Sequence, residues 1–507
     1  MRRPSLVVVL AAAVALLALL PIALVVRQTF SGGWSEAERL LVRPLVGTLL
    51  LHTAGLIAVA TAATSVLGLA VAWLVERTDL PFRRVWATLA ALPITVPAFV
   101  TSYSWVTLTP AVEGFWGAVL IVTLAYYPFV YIPVAAVLRR MDPALEDSAR
   151  ALGLGPWRTF LRVTLPQTRP ALFGGALIVA IHLLTEYGAF AMLRFRTFTT
   201  AIYDEYRLSF DGPAASALAS VLIAICLVLL VTELSVRGHA PLVRVGAGTL
   251  RPLSRQRLGR WTPLVVLGFA GLLVAALVLP IGTLVYWIVR SPTATVALGS
   301  LVSAAATSLG LALAAAVLTT LLALPLAFVS IRRPGRLATL LERSAYLAYA
   351  LPGITIALAL IIVSIKYVRP LYQTTPLLVL AYALLSMPLA LVATRAALAQ
   401  APVQLEHVAR SLGHRPTKTF VRVTLPLIMP GLGAAAALVF LATMTELTAT
   451  LLLAPIGTTT LATAFWANTR GLDYAQAAPY ALCLIALSAP PAYFLTRKLS
   501  SLAGTLS

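Results

Sequence analysis

Three apolar runs, 6–26, 214–231 and 264–289, are each long enough to approach or exceed the ~20 residues a helix needs to cross a bilayer. Lipid offers backbone N–H and C=O groups no water, so such runs must satisfy them internally and fold as helices. Read this way, the chain contains about twelve spans, near 5–26, 46–75, 86–108, 115–138, 171–193, 214–233, 262–289, 300–329, 344–365, 375–398, 431–454 and 476–495. The predicted fold class is an all-α polytopic membrane protein. Composition agrees: 60% of the residues are hydrophobic and 11% charged, against roughly 45–50% and 25% in soluble domains. The first run follows Arg2-Arg3, but its apolar core exceeds that of a signal peptide and no small-x-small cleavage site closes it before Arg27. It is read as a retained helix.

A net charge of +21 would suit a nucleic-acid partner if it were clustered on one surface. Sorted by alternate loops, most of the Lys and Arg instead fall on the side that carries the N-terminus. Positive loops face the cytoplasm, so both termini are expected there, with the lipid bilayer and its acidic headgroups as the neighbours of this charge. No nucleic-acid partner is expected. Cys226 and Cys483 sit in separate apolar runs, which argues against a disulfide or metal framework. The five histidines, His52, His182, His239, His407 and His414, lack metal-ligand spacing.

The chain contains itself twice. Residues 146–153 (EDSARALG) recur as 406–413 (EHVARSLG), and 159–166 (TFLRVTLP) as 419–426 (TFVRVTLP). The same 260-residue offset relates Pro128 to Pro388 and Thr185-Glu186 to Thr445-Glu446. Upstream it becomes 259 for Leu92-Pro93 and Leu351-Pro352, and 255 for Gly55 and Gly310. Each repeat spans about six helices, so both copies keep one orientation, a parallel repeat about the membrane normal. The expected organisation is 1–236 as the first repeat, 237–261 as a basic cytoplasmic linker and 262–507 as the second repeat. The path for a solute is expected between the two halves.

The matched segment follows the fourth span of each repeat, at 142–170 and 401–430. In the first copy Asp142-Pro143 offers an N-cap and a first-turn proline, and Gly153 suits the left-handed residue that ends a helix. Pro156 opens a second short helix, which Pro166 and Pro170 are expected to close. Pro402, Gly413, Pro416, Pro426 and Pro430 take the same parts in the second copy. A cytoplasmic helix-turn-helix presenting Leu152, Leu154, Trp157 and Phe160 reads as a knob for a groove on a partner. Two copies imply two equivalent partners or a dimer.

This pattern resembles the EAA loop of binding-protein-dependent ABC importer permeases, with Gly and Leu-Pro at the family spacing in both copies. At the Glu-Ala-Ala positions stand Asp147-Ser148-Ala149 and His407-Val408-Ala409, with Glu146 and Glu406 one place earlier. His407 departs from the acidic preference, which leaves open which half couples more strongly. The resemblance implies the type I importer permease fold and coupling residues at Glu146, Asp147, Ala149, Leu152, Gly153, Phe160 and Pro166, and at Glu406, His407, Ala409, Leu412, Gly413, Phe420 and Pro426. It also implies a homodimeric ABC ATPase on the cytoplasmic side and a periplasmic or lipid-anchored substrate-binding protein. Fused double permeases of this length look most like the ferric-iron importer group, to which 187–203 and 444–455 are similar; thiamine permeases share the architecture. The lysines, Lys366, Lys418 and Lys498, never follow a glycine, so no Gly-x-x-x-x-Gly-Lys loop exists. No cofactor is expected on this chain, and ATP and Mg belong to the partner.

Two acidic residues lie inside expected spans. Glu186 and Glu446 each stand some 16 residues beyond the proline opening their helix, about 24 Å along it. Intramembrane carboxylates are costly and face a cavity or a polar partner. With Tyr187 and Thr445 they are assigned to the outer part of the translocation path. The blander reading pairs them internally, with His182 or an arginine. A proton-coupled transporter using Glu186 and Glu446 as a relay is the rival of another class. It gives no reason for two matched loops. Leu92-Pro93 and Leu351-Pro352 are candidate hinges.

Overall fold

The computed structural model describes residues 6–237, 255–290, 298–349 and 351–504. Among these residues, nine helices are long and apolar enough to cross a membrane, ten if a bent pair counts as one span. The bent pair is Arg83–Thr95 with Ala98–Leu108, turned by 91° where a single span at 86–108 is expected. Pro97 sits at the corner in an extended conformation that opens the second limb, as the fixed φ of proline allows. Two of the twelve expected spans are not in the count. The run 344–365 is divided between Arg336–Tyr349 and the 14-residue helix Gly353–Lys366, too short to cross alone. The run 476–495 lies within the helix Tyr474–Gly504.

The chain forms two compact units, and their membership does not follow chain order. One comprises Arg43–Thr200, Ile225–Pro292 and Ser501–Ser507. Its centre is the 34-residue helix Pro44–Arg77, which packs on Phe115–Arg140 and on Leu165–Thr185. The three share a core that includes Leu56, Val71, Ile121, Tyr127, Val130, Leu138 and Leu183. Gly68 and Gly175 bring two of these helices onto the third at Val130. A Cβ on Gly68 would stand 2.7 Å from the Val130 Cβ, and one on Gly175 would stand 2.8 Å from the Val130 Cα and the Phe129 carbonyl oxygen. Small residues permit this approach where lipid supplies no hydrophobic drive between helices. The helix opening the second half, Thr262–Leu273 continuing to Arg290, belongs to this unit. Phe269 meets Trp86 at 5.5 Å between centroids, and the Ser104 hydroxyl donates to the Pro280 carbonyl at 3.0 Å.

The other unit comprises Met1–Val42, Ala201–Ala224 and Thr293–Ser500. Here Leu298–Arg332 packs on Thr375–Gln400 and Leu425–Met444. The opening helix Leu6–Thr29 lies along it through Ala11, Val14 and Ala15. Lys366 donates to the Gln28 side chain at 2.7 Å, and the Thr29 and Ser220 hydroxyls pair at 2.8 Å. The opening helix of each repeat therefore lies in the unit built mainly from the other. The expected linker 237–261 falls largely on 238–254, outside the described residues.

The structure revises one repeat correspondence. Pro352 opens Gly353–Lys366 as Pro97 opens Ala98–Leu108, and each opened helix packs on a later short one, Thr448–Leu453 or Gly188–Met192. Pro97, rather than Pro93, is thus the partner of Pro352, at the 255-residue offset already seen for Gly55 and Gly310. The step to 260 is shared between the opened helix, 11 residues in the first copy and 14 in the second, and the connection that follows, 109–114 against the longer 367–374. A surface connection is where an insertion costs least.

The packing at Val130 makes a test. Gly175→Ala forces backbone on the neighbouring helix to move and should cost about 1–3 kcal/mol, read as a lower unfolding temperature in detergent. Gly174→Ala is the control, since a Cβ there meets nothing within 4 Å.

Candidate coupling loops and the carboxylates of the bundle

Each repeated segment folds as a short helix, a turn and a longer helix. The first is Pro143–Ala151, where the Asp142 carboxylate accepts from the Ala144 N–H at 3.0 Å. It is the cap expected from Asp142-Pro143. The helix ends at Gly153, whose φ of 83° lies in the left-handed region. The Gly153 N–H donates to Arg150 at 2.9 Å and the Leu154 N–H to Ala149 at 3.1 Å. This pair of bonds is the Schellman closure. The second copy, Val403–Ser411, closes identically: Gly413 has φ 81°, and the Gly413 and His414 N–H groups donate to Arg410 and Ala409 at 2.9 and 3.1 Å. Pro402 stands at its N-cap, so no side chain accepts there.

The second limb departs from expectation. Pro166, Pro170, Pro426 and Pro430 do not close a short helix; the limbs run on as Pro156–Thr185 and Pro416–Met444. A proline lacks an N–H, and its ring collides with the carbonyl four residues back. Both copies absorb this in a π-turn, Phe160–Thr164 and Phe420–Thr424, where the next N–H reaches back five residues to Phe160 and Phe420. The same turn occurs at Val274–Val278, again two residues before a proline, Pro280. One wide turn re-aims the carbonyls and lets the helix continue.

At the turn Leu152 is 83% exposed, Leu412 74% and Trp157 69%. Asp147, His407, Gly153, Gly413 and Pro426 are exposed, Pro166 is half-buried, and Ala149 and Ala409 are buried. Glu146 and Glu406, by contrast, are only 6% and 4% exposed. Glu146 pairs with Arg77 at 3.1 Å and accepts from the Thr164 hydroxyl at 2.7 Å. Glu406 accepts Nε and Nη2 of Arg332 on one oxygen, both at 2.9 Å. Arg77 and Arg332 are the last residues of the two long helices. Phe160 and Phe420 also turn inward, half-buried, onto Trp73 at 5.9 Å and Phe328 at 5.8 Å. The outer surface of each knob is thus Leu152 or Leu412 with its polar neighbours, while Glu and Phe hold the knob to its long helix. Helical spacing alone does not separate these two faces, and Arg77 and Arg332 carry no sequence signal beyond closing an apolar run.

At the far end of the second limb the helices stop at Thr185 and Met444 rather than running to 193 and 454. Glu186 Oε1 accepts from the Ala189 N–H at 2.9 Å, and Glu446 Oε1 from Ala449 at 2.9 Å. Each carboxylate caps the short helix that follows, Gly188–Met192 or Thr448–Leu453. The Glu186 and Glu446 carbonyls accept from the Thr199 and Thr450 hydroxyls at 2.7 and 2.8 Å. These bonds satisfy backbone freed by the break, as membrane depth demands. The remaining oxygen, Glu186 Oε2, takes a 2.6 Å bond from the Tyr126 hydroxyl, so its internal partner is neither His182 nor an arginine. Tyr126, which carries no distinguishing sequence signal, is thereby a member of this site. Glu446 lies where Gly353 leaves room, its Oε1 3.0 Å from the position a Cβ would take. Tyr187 is buried and Thr445 half-buried beside them.

Residues 64–245 and 319–497 each match the family model described as binding-protein-dependent transport system inner membrane component. The chain belongs to that family. It is a fused, double-length permease. Each match contains one knob and one capping carboxylate, and Leu6–Thr29 and Thr262–Leu273 lie outside both matches. The permease is 37% identical to the Fe(3+)-transport system permease protein FbpB 2 of Haemophilus influenzae, over 94% of its own length and 95% of that protein. It is 32% identical to the sulfate transport system permease protein CysT of Escherichia coli, over 43% of this chain and 86% of that one. The molybdenum transport system permease protein ModB of Escherichia coli is 27% identical over 38% of this permease and 88% of its own length. Those two relatives are single-length, so one repeat here corresponds to most of such a permease.

Proposed function

We propose that this inner-membrane permease imports ferric iron, delivered by a periplasmic or lipid-anchored binding protein and driven by a separate ATPase homodimer. The ATPase docks on the two knobs from the cytoplasm, where both termini also lie. Its closing and reopening moves the knobs and alternates access to the path. Glu186 and Glu446, with Tyr187 and Thr445, line that path.

The docking reading is supported above all by one observation: two knobs of the same fold expose a leucine at the turn, Leu152 and Leu412, joined by Trp157 in the first. A large apolar side chain exposed at a tight turn suits a groove on a partner. The cargo rests on likeness to the ferric-iron relative, which extends over both repeats. Oxygen donors such as these two carboxylates are also chemically suited to a hard cation.

Reconstitution tests the proposal. Vesicles holding the permease, its ATPase and its binding protein should accumulate radioactive Fe(III) on addition of ATP, and should not accumulate thiamine or sulfate. ATP-driven uptake of either of those in place of iron would reassign the cargo and leave the importer reading standing. Iron uptake driven by a proton gradient without ATP would overturn the importer reading itself.

A further inference from the structure

The two Arg–Glu pairs are buried, repeated, and so placed that each joins a knob to a single long helix. Arg77 and Arg332 lie 255 residues apart, Glu146 and Glu406 260 apart. The repeats have therefore changed length between the two partners, and both pairs are still formed. A second contact accompanies each. Trp73, one turn before Arg77, meets Phe160, and Phe328, one turn before Arg332, meets Phe420. Residues four apart share a helix face, so one face of the long helix end grips both limbs of the knob. The carboxylate takes the first limb and the phenylalanine takes the second. In the first copy the Thr164 hydroxyl bonds to Glu146 as well and closes the knob on itself.

We infer that Arg77 and Arg332 are positioning residues that yoke each knob to its long helix, so that knob and helix end move as one rigid lever. This rests on the reading of the knobs as ATPase docking sites. A buried ion pair suits such a part because separating it strands a buried guanidinium, while each carboxylate keeps a 3.7 Å contact with Arg150 or Arg410 on its own knob. The load is then carried along Pro44–Arg77 and Leu298–Arg332 rather than lost in bending at the turn. The two yokes differ in quality. Arg332 also donates to the Ala401 carbonyl at 2.9 Å. The corresponding bond of Arg77 goes to the Met141 sulfur at 3.0 Å, and its Nε and Nη1 have no hydrogen-bond partner among the described residues. The second-half yoke is the stiffer one.

The test reads uptake and ATP hydrolysis in the same vesicles of the assembled transporter. In Arg332→Gln the ATPase should still co-purify and hydrolyse ATP, while substrate moved per ATP falls at least ten-fold; Arg77→Gln should fall less. A covalent tie distinguishes a yoke from general stabilisation. With Cys226 and Cys483 replaced by alanine, the pairs Arg77→Cys/Glu146→Cys and Arg332→Cys/Glu406→Cys should transport poorly per ATP. A short bis-maleimide joining the two cysteines should restore the ratio to within three-fold of the parent. Should the cross-link block transport, or the ratio already be normal without it, the yoke is overturned. Glu406→Gln, which keeps an acceptor and the side-chain shape, covers the case in which the cysteine pairs do not assemble: an unchanged ratio there also rejects the yoke. Failure of the wild-type permease to bind any ATPase would instead remove the docking reading on which the yoke rests.

Discussion

Replacing both Gly153 and Gly413 with valine will cut ATPase retention at least ten-fold and bring uptake to background. Both glycines hold φ near +80°, where a side chain with a Cβ costs about 1–2 kcal/mol per residue and a β-branched one is a steric outlier. The chain escapes this strain by abandoning the left-handed turn. That breaks the bonds from Gly153 and Leu154, and from Gly413 and His414, to the preceding turn. Leu152 and Leu412 then lose their fixed presentation. No neighbouring atom lies within 4 Å of a Cβ at either position, so the defect is one of backbone conformation and the bundle should still assemble. Co-purification of the ATPase and ATP-driven uptake are the measurements. Asparagine at both positions, which tolerates the left-handed region, should recover most of the binding. Full retention of the ATPase by the valine pair would show that the turn geometry is not what the partner reads.

The second large effect is expected at the carboxylates. Glu186→Gln with Glu446→Gln should lower uptake at least ten-fold while the ATPase remains bound. An amide keeps one acceptor for the Ala189 and Ala449 N–H groups, so the caps persist while the charge is lost, and at Glu186 the Tyr126 bond must reverse, with the amide N–H donating to the hydroxyl. Tyr126→Phe removes the 2.6 Å bond to Glu186 without removing charge, and should have the smaller effect. Normal uptake by the double variant would restrict both carboxylates to capping the broken helices.

Much of the knob is legible in the sequence because local chemistry fixes it. Asp142 before a proline makes a cap, and Gly153 and Gly413 end their helices whatever surrounds them. Long apolar runs likewise announce most of the spans. The direction in which a knob side chain points is different. Glu146 and Asp147 are neighbours, one buried and one exposed, and only the arrival of Arg77 from a distant helix decides which is which. The breaks after Thr185 and Met444 are hidden for a related reason. Neither segment holds a proline or a run of glycines there, and the interruption is stabilised by threonines and carboxylates whose bonds form only in the fold. Prolines mislead in the opposite direction at 166 and 426, where a π-turn carries the helix through. The expected spans and the nine or ten long apolar helices among the described residues differ where apolar content continues across a bend, as at Pro97, or across the division before Gly353.

The exchange of opening helices between the units has a consequence in time. Leu6–Thr29 is made long before the helix it packs along, Leu298–Arg332, which follows some 300 residues later. At roughly 5–20 residues per second of synthesis, the opening helix waits on the order of 15–60 s with its packing face unclaimed. Lipid must occupy that face meanwhile. The unit built around Pro44–Arg77 meets its own late helix, Thr262–Leu273, before Leu298–Arg332 is made. Assembly of the unit that holds Leu6–Thr29 therefore finishes later, and that helix is seated long after it is synthesised.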